Sequence, residues 1–268
     1  MSVTLQTVNG VGLLTSSLLT QTPGIAHGFS TRVGGVSQPP YRSLNLGFNR
    51  GDDPEQVSEN FRRFCSAIGT DHTRRVKNRQ IHTAVVRSVT AADILNDPDA
   101  VPAEADGLVT DVPGLCLTVF TADCVPILLC DPGRRCVAAI HSGWRSTALC
   151  IAQRGVEAMV DRYGCRPQDI LAAVGPSIGP CCFETDRDVP DAMPAWAEPH
   201  IRPLGNERFR VDLKTIVRRT LERSGLLPEH IDLSDHCTAC RDDLYWSHRM
   251  VGAARGSMAA MIQLTTNP

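Results

Sequence analysis

Four short apolar runs follow one another through the centre of this chain, at residues 107–110, 116–121, 125–130 and 136–141. Turn residues separate them, among them Pro113-Gly114 and Asp131-Pro132-Gly133. Each run is too short for a helix and too continuously apolar for a strand with one wet face, so the spacing predicts strands buried on both faces. That requirement restricts the chain to folds in which a sheet is covered on both sides, by helices or by a second sheet.

The flanks supply the cover. Asp53 is placed to cap a helix with Pro54 at its first position; Val57, Phe61, Phe64 and Ile68 then recur at helical spacing, and Gly69 ends it. Residues 145–163 carry a stripe of Leu149, Ala152, Val156 and Met159 closed by Gly164, and Asp212 caps a helix bearing Leu213, Ile216, Val217 and Leu221. Further strands are expected at 24–30, 83–89 and 170–175, with two last ones at 244–246 and 258–264. The class is therefore α/β with a mixed sheet, or two sheets packed together between helices. No repeat or linker divides the chain, and the Pro-rich stretch 188–206 reads as an excursion, so one domain over 1–268 is expected.

Composition narrows the function. Of 268 residues 42% are apolar and 21% charged, and the net charge of -2 gives no field that would gather nucleic acid or an anionic membrane. The apolar runs are too short to span a bilayer, and the first residues lack the basic segment of a signal peptide. The 11 cysteines are odd in number and lie partly inside apolar runs, which fits reduced thiols in a cytoplasmic protein better than a disulfide scaffold. A monomer is expected.

Three segments end or begin a strand with a reactive residue: NRQIHT at His82, TADCVP at Cys124 and AAIHSGWRS at His141. Two imidazoles and a thiolate are preferred zinc ligands, and a three-ligand site leaves a position free for chemistry. Each residue taken singly has a plainer reading, a hydrogen-bonded imidazole or a buried thiol. Cys124 with His141 as its base would also serve a metal-free cysteine hydrolase; His82 is what separates the two. In HSGWR, Gly143 permits a turn, a helix beginning there would point its N-terminus past His141, and Arg145 offers a planar cation for phosphate or carboxylate. Arg32, Asn45 and Gln80 are candidates for polar substrate contacts, although Arg32 and Asn45 can equally tie down the long loop 33–47. Asp123 is a candidate to orient a ligand or carry a proton. Cys237-Thr-Ala-Cys240 is either redox-active or half of a zinc site; there is no second Cys-x-x-Cys, but His236 or Cys181-Cys182 can complete it. GPSIGP, at 175–180, lacks the Gly-Lys-Ser/Thr ending of a phosphate loop and reads as a sharp turn.

These segments together resemble one family. HGFSTRVGGVS, SLNLG, GDDPEQVSENF, QIH, ADGLVT, TADCVPILLCD, VAAIHSGWRS, GPSIGPCCFE and HCTAC stand in the order found in the laccase-domain, or polyphenol-oxidase-like, purine nucleoside phosphorylases, some of whose bacterial members are named peptidoglycan editing factor. The resemblance implies a four-layer α-β-β-α sandwich of two mixed sheets, zinc at His82, Cys124 and His141, phosphorolysis of adenosine, inosine, guanosine or methylthioadenosine to base and ribose 1-phosphate, and a linked adenosine deaminase activity. The chain departs from the family pattern at Thr83, at Ser142 and Ser146, at Ser247-His248-Arg249 and at Ala253-Ala254-Arg255, which bears on substrate contacts rather than on the metal ligands. Copper can occupy such a ligand set in vitro. A multicopper oxidase needs many clustered imidazoles, and the 8 histidines here include no His-x-His pair. The remaining alternatives are a Cys-His hydrolase of cell-wall precursors and a zinc-stabilised binding protein.

Overall fold

The structure, a computed structural model, describes residues 2–94 and 102–266. One six-stranded sheet runs in the order β1 (Val3–Val8), β2 (Val11–Ser16), β3 (Ile25–Ser30), β15 (Met258–Leu264), β7 (Cys116–Thr121), β4 (Arg75–Lys77). The β4–β7 pair is parallel and the others are antiparallel. A second runs β14 (Ile231–Leu233), β10 (Leu171–Val174), β8 (Val125–Asp131), β9 (Cys136–Ser142), β6 (Gly107–Thr110), β5 (Val86–Ser88), with parallel pairs at both edges. The Pro-rich excursion carries a small sheet of β11 (Glu184–Thr185), β13 (Arg208–Val211) and β12 (Ile201–Gly205). The helices are α1 (Ser17–Thr20), α2 (Pro54–Ala67), α3 (Trp144–Ala148), α4 (Ile151–Tyr163), α5 (Asp188–Ala192), α6 (Leu213–Arg223) and α7 (His248–Val251).

The two-residue period of the strands sorts their side chains into three cores, and three cores make four layers. In β8 and β9, Ile127, Leu129, Ala138 and Ile140 face α4 and α6, meeting Val156, Met159, Ile216 and Leu221. Their alternates Leu128, Cys130, Val137 and Ala139 face the other sheet, against Leu117, Val119, Ala260 and Ile262. On the far side of that sheet, Cys116, Ala259 and Met261 lie with Leu13 against Val57, Phe61 and Phe64 of α2. The continuous apolar runs are thus explained, since every residue of β8, β9 and β15 is buried. Each fully buried Leu in these layers contributes roughly 1.5–3 kcal/mol relative to an exposed one.

Several expectations change at the edges. The helix expected over 145–163 is two helices, because Cys150 takes a left-handed conformation (φ 56°) between them. Leu149, counted as part of the buried stripe, is 56% exposed as a result. The strand expected at 83–89 shrinks to Val86–Ser88, because Thr83 is held by a side chain instead of a ladder. Residues 244–246 form no strand: Leu244 and Tyr245 close a turn on Arg241, and Tyr245 and Trp246 are buried. Both six-stranded sheets also exceed what periodicity revealed, since β1 and β2 form a hairpin across Asn9-Gly10, whose φ values of 51° and 79° are both positive.

Candidate active site

Strand register assembles the site. In the β8–β9 ladder Val125 pairs with Ser142 and Pro126 with His141, so Cys124, one residue before β8, falls beside the end of β9. In the β6–β9 ladder Gly107 pairs with Ile140, and the next step brings Asp106 to His141, whose backbone N–H donates to the Asp106 carbonyl at 2.7 Å. Parallel pairing of Val86 with Gly107 lays the 79–85 loop along the same Asp106. His82, Cys124 and His141 converge in this way: their ligand atoms all lie within 4.8 Å of one another, and the two imidazoles meet nearly edge-on (centroids 4.9 Å apart, 87°).

Asp106 organises the cluster, and sequence reasoning assigned it no role. Its carboxylate lies 2.7 Å from His141 Nδ1 and accepts the backbone N–H groups of Ile81, His82 and Thr83 (3.2, 3.0 and 2.7 Å) and the Thr83 hydroxyl (3.0 Å). One buried carboxylate therefore fixes the His141 ring and holds the loop that gives His82 its left-handed backbone (φ 62°). Burial pushes the Asp106 carboxyl up, but the His141 and Thr83 hydrogen bonds outweigh it and bring it down to about 2. His141 is the complement: burial pushes its imidazolium down, but the Cys124 sulfur and Asp106 outweigh that and raise it to about 9. Burial, then the charge of His141, hold His82 below the usual imidazole range. The only trace Asp106 leaves in the sequence is a carboxylate set directly before an apolar strand in ADGLVT.

The cluster fits a metal. His82 Nδ1 is buried without a hydrogen-bond partner among the described residues, a costly state unless something ligates it. A Cβ at Gly143 would stand 2.2 Å from that nitrogen and 3.3 Å from the Cys124 sulfur, so only glycine leaves the space open. With Nδ1 of His141 against Asp106, its other nitrogen is the one turned to Cys124, the carboxylate–histidine arrangement that orients metal-ligating imidazoles. Two imidazole nitrogens and one sulfur suit zinc with an open fourth position.

The other sequence candidates divide. Arg145 begins α3 beside the cluster, is exposed, stacks over Trp144 at 4.2 Å and acts on His82 through its charge. The expected contribution from a helix N-terminus shrinks, because α3 has 5 residues and few aligned peptide dipoles. Arg32 directs its donors to the carbonyls of Arg42 (3.3 and 3.0 Å) and Asp242 (2.8 Å) and stacks on Trp246, so it ties the early loop to the C-terminal segment. Asn45 is fully buried and engaged with Gly47, Asp52 and the N–H of Ser257. Gln80 forms a reciprocal pair with the Phe120 backbone (2.8 and 2.7 Å), standing in for a strand partner. The Asp123 carboxylate accepts from Thr238, Ser247 and the N–H of Arg249 (2.6, 3.0 and 2.7 Å), and it anchors the C-terminal segment from a left-handed position (φ 91°). Arg255 was noted only as a departure from a motif, yet its half-buried guanidinium acts on Asp123 and Cys124 and keeps Nε without a partner among the described residues. Burial, then the neighbouring Arg50 charge, bring it down to about 10.

A family profile described as multi-copper polyphenol oxidoreductase laccase matches residues 26–265. The chain belongs to that family. Within it, the protein is 37% identical over 247 residues to "Purine nucleoside phosphorylase YlmD" of Geobacillus stearothermophilus, covering 89% of this chain and 90% of the relative. It is 35% identical to "Purine nucleoside phosphorylase YfiH" of Escherichia coli, covering 91% and 96%. Among solved structures it is similar to YlmD from Geobacillus stearothermophilus (TM-score 0.89, 34% identity, 97% and 98% covered) and to a hypothetical protein YfiH of Bacillus licheniformis (TM-score 0.91, 32% identity, 97% and 99% covered). The family's printed description invokes several coppers. Among the described residues, however, the groups able to hold a metal are this N/N/S cluster and a separate set of four cysteines.

Proposed function

We propose that the chain is a zinc-dependent purine nucleoside phosphorylase, cleaving adenosine, inosine, guanosine or methylthioadenosine with phosphate, with a linked adenosine deaminase activity. We read it as one catalytic domain over 1–268, working as a cytoplasmic monomer on small molecules. The observation that carries the reading is the buried, unpartnered His82 Nδ1 facing Cys124 and His141, in a chain whose relatives bear the phosphorylase name. His82, Cys124 and His141 would hold the metal, and zinc when bound supplies Lewis acidity to an oxygen of phosphate, water or nucleoside.

The chain's own residues do the rest. Asp106 keeps His141 in one tautomer and ring orientation. Arg145 and Arg255 set fixed positive charge on the cluster, suited to a phosphate and to charge developing as the glycosidic bond breaks. Asp123 holds Cys124 against the C-terminal segment that carries Arg255. Arg32, Asn45 and Gln80 act indirectly, by fixing loops. Copper oxidase chemistry is the weaker reading of the same ligands, since His82 and His141 are the imidazoles that meet there.

The test is base release from each nucleoside with and without phosphate, with ribose 1-phosphate measured. Release only with phosphate, lost on chelation and restored by zinc, supports the reading. Turnover of an amide by metal-free protein, blocked by thiol alkylation, would instead make Cys124 and His141 a hydrolase pair.

A further inference from the structure

The Cys-x-x-Cys segment that sequence left open finds its partners in the fold. Cys181, Cys182, Cys237 and Cys240 bring four sulfurs within 4.8 Å of one another. Cys240 Sγ lies 3.5 Å from Cys181 Sγ and 3.3 Å from Cys182 Sγ, far from the roughly 2.05 Å of a disulfide. Sulfurs at the corners of a tetrahedron with Zn–S bonds of about 2.3 Å stand about 3.8 Å apart, the spacing these four already approach. His236, the alternative partner, is turned away and bonds the Tyr245 hydroxyl at 2.6 Å.

The backbone around them is organised for thiolates. The Gly179 N–H points at Cys237 Sγ at 3.1 Å, and the N–H groups of Ala239 and Cys240 turn toward the same sulfur. A Cβ at Gly179 would stand 3.3 Å from the Cys181 sulfur and 3.5 Å from that of Cys237, so a glycine lets this turn close on the thiols. The buried ammonium of Lys214 donates to the carbonyls of Ser234 and His236 (2.9 and 2.8 Å) and acts on Cys237 and Cys181, offsetting the negative charge of the set. We propose that Cys181, Cys182, Cys237 and Cys240 form a second, structural zinc site, separate from the His82–Cys124–His141 cluster. All four tetrahedral positions are filled by sulfur, so this site is closed to substrate. It fastens the 179–183 turn to the 237–240 turn. These turns are joined independently by the Ser177–Cys237 bridge, and Thr238 reaches from the second to Asp123.

The experiment is metal analysis of the full chain purified under reducing conditions with zinc present. Two zinc ions per chain are expected. Cys124→Ala should retain one, Cys181→Ser with Cys240→Ser should retain the other, and the combined variant neither. Cobalt loaded into Cys124→Ala should give the intense visible absorption of tetrahedral thiolate coordination, and Cys240→Ser should abolish it. The unmutated protein provides a readout that does not depend on the variants folding: alkylation of exposed Cys181 and Cys240 should be at least tenfold slower with zinc than after chelation. One zinc per parent chain, equal alkylation in both states, or a disulfide linking Cys240 to Cys181 or Cys182 in the purified protein would overturn the proposal.

Discussion

Two histidines sit on strands of the same sandwich, equally buried, with opposite chemistry. His141, on β9, is 4% exposed; its Nδ1 meets Asp106, its other nitrogen is turned to the ligand cluster, and its proton affinity is raised. His27, on β3, is 5% exposed; its Nε2 accepts the Ser16 backbone N–H at 2.9 Å. Burial, only partly opposed by the buried Asp232 carboxylate, brings His27 down to about 4. Both have a carboxylate within electrostatic reach. The direction of the hydrogen bond separates them. A ring that donates to a carboxylate keeps a lone pair aimed outward, whereas a ring that accepts from the backbone has used that lone pair in holding two strands together.

The largest effects should come from breaking the ligand side of this contrast. Cys124→Ala and His141→Ala are each expected to lose the catalytic metal and phosphorolysis down to background, while circular dichroism stays that of the parent; retention of that metal in both would dissolve the contrast. Next, Arg145→Ala should keep metal and fold but lose roughly a hundredfold in kcat/KM, the usual scale for one electrostatic stabiliser, with Arg145→Lys in between. Near-parent turnover in Arg145→Ala would move the anion site to Arg255. Asp106→Asn converts His141 toward a neutral setting like that of His27, and should weaken metal binding by about 10–100-fold in competition with a chelator.

The smallest effect belongs to His27. Its folded pKa lies below the unfolded value, so the unfolded chain binds the extra proton; stability is present above about pH 6.5 and declines as pH falls toward 4. Between pH 7 and pH 5 the loss attributable to His27 should be on the order of 2 kcal/mol, or about 5 °C in Tm. His27→Gln, which keeps an acceptor for Ser16, should flatten that dependence and leave phosphorolysis unchanged.

The contrast also explains what could be read in the sequence. Layering was legible because burial on both faces of β8 and β9 leaves continuous apolar runs, and the three ligands because thiol and imidazole stand at strand ends. The register that joins them was not legible, nor was Asp106, whose five contacts come from residues distant in sequence. Arg32, Asn45 and Gln80 show the reverse error: a polar side chain in a loop does not reveal whether its donors face a ligand or the chain's own carbonyls. One clear signal went unread, the Asn9-Gly10 dipeptide, whose residues tolerate the positive φ that a tight hairpin turn demands.

The position of β15 has a consequence for synthesis. Residues 258–264 lie between β3 and β7, in the middle of a sheet whose other strands are made long before. The site's own sheet needs nothing beyond β14, so its ligands can gather while the opposite sheet still stands open as two halves. A ribosome therefore carries a nascent chain with its central apolar seam exposed until almost the last codons emerge, and closure must wait for a contact spanning most of the polypeptide. Interrupted translation or late frameshifts should accordingly yield aggregating species rather than slightly shortened enzymes.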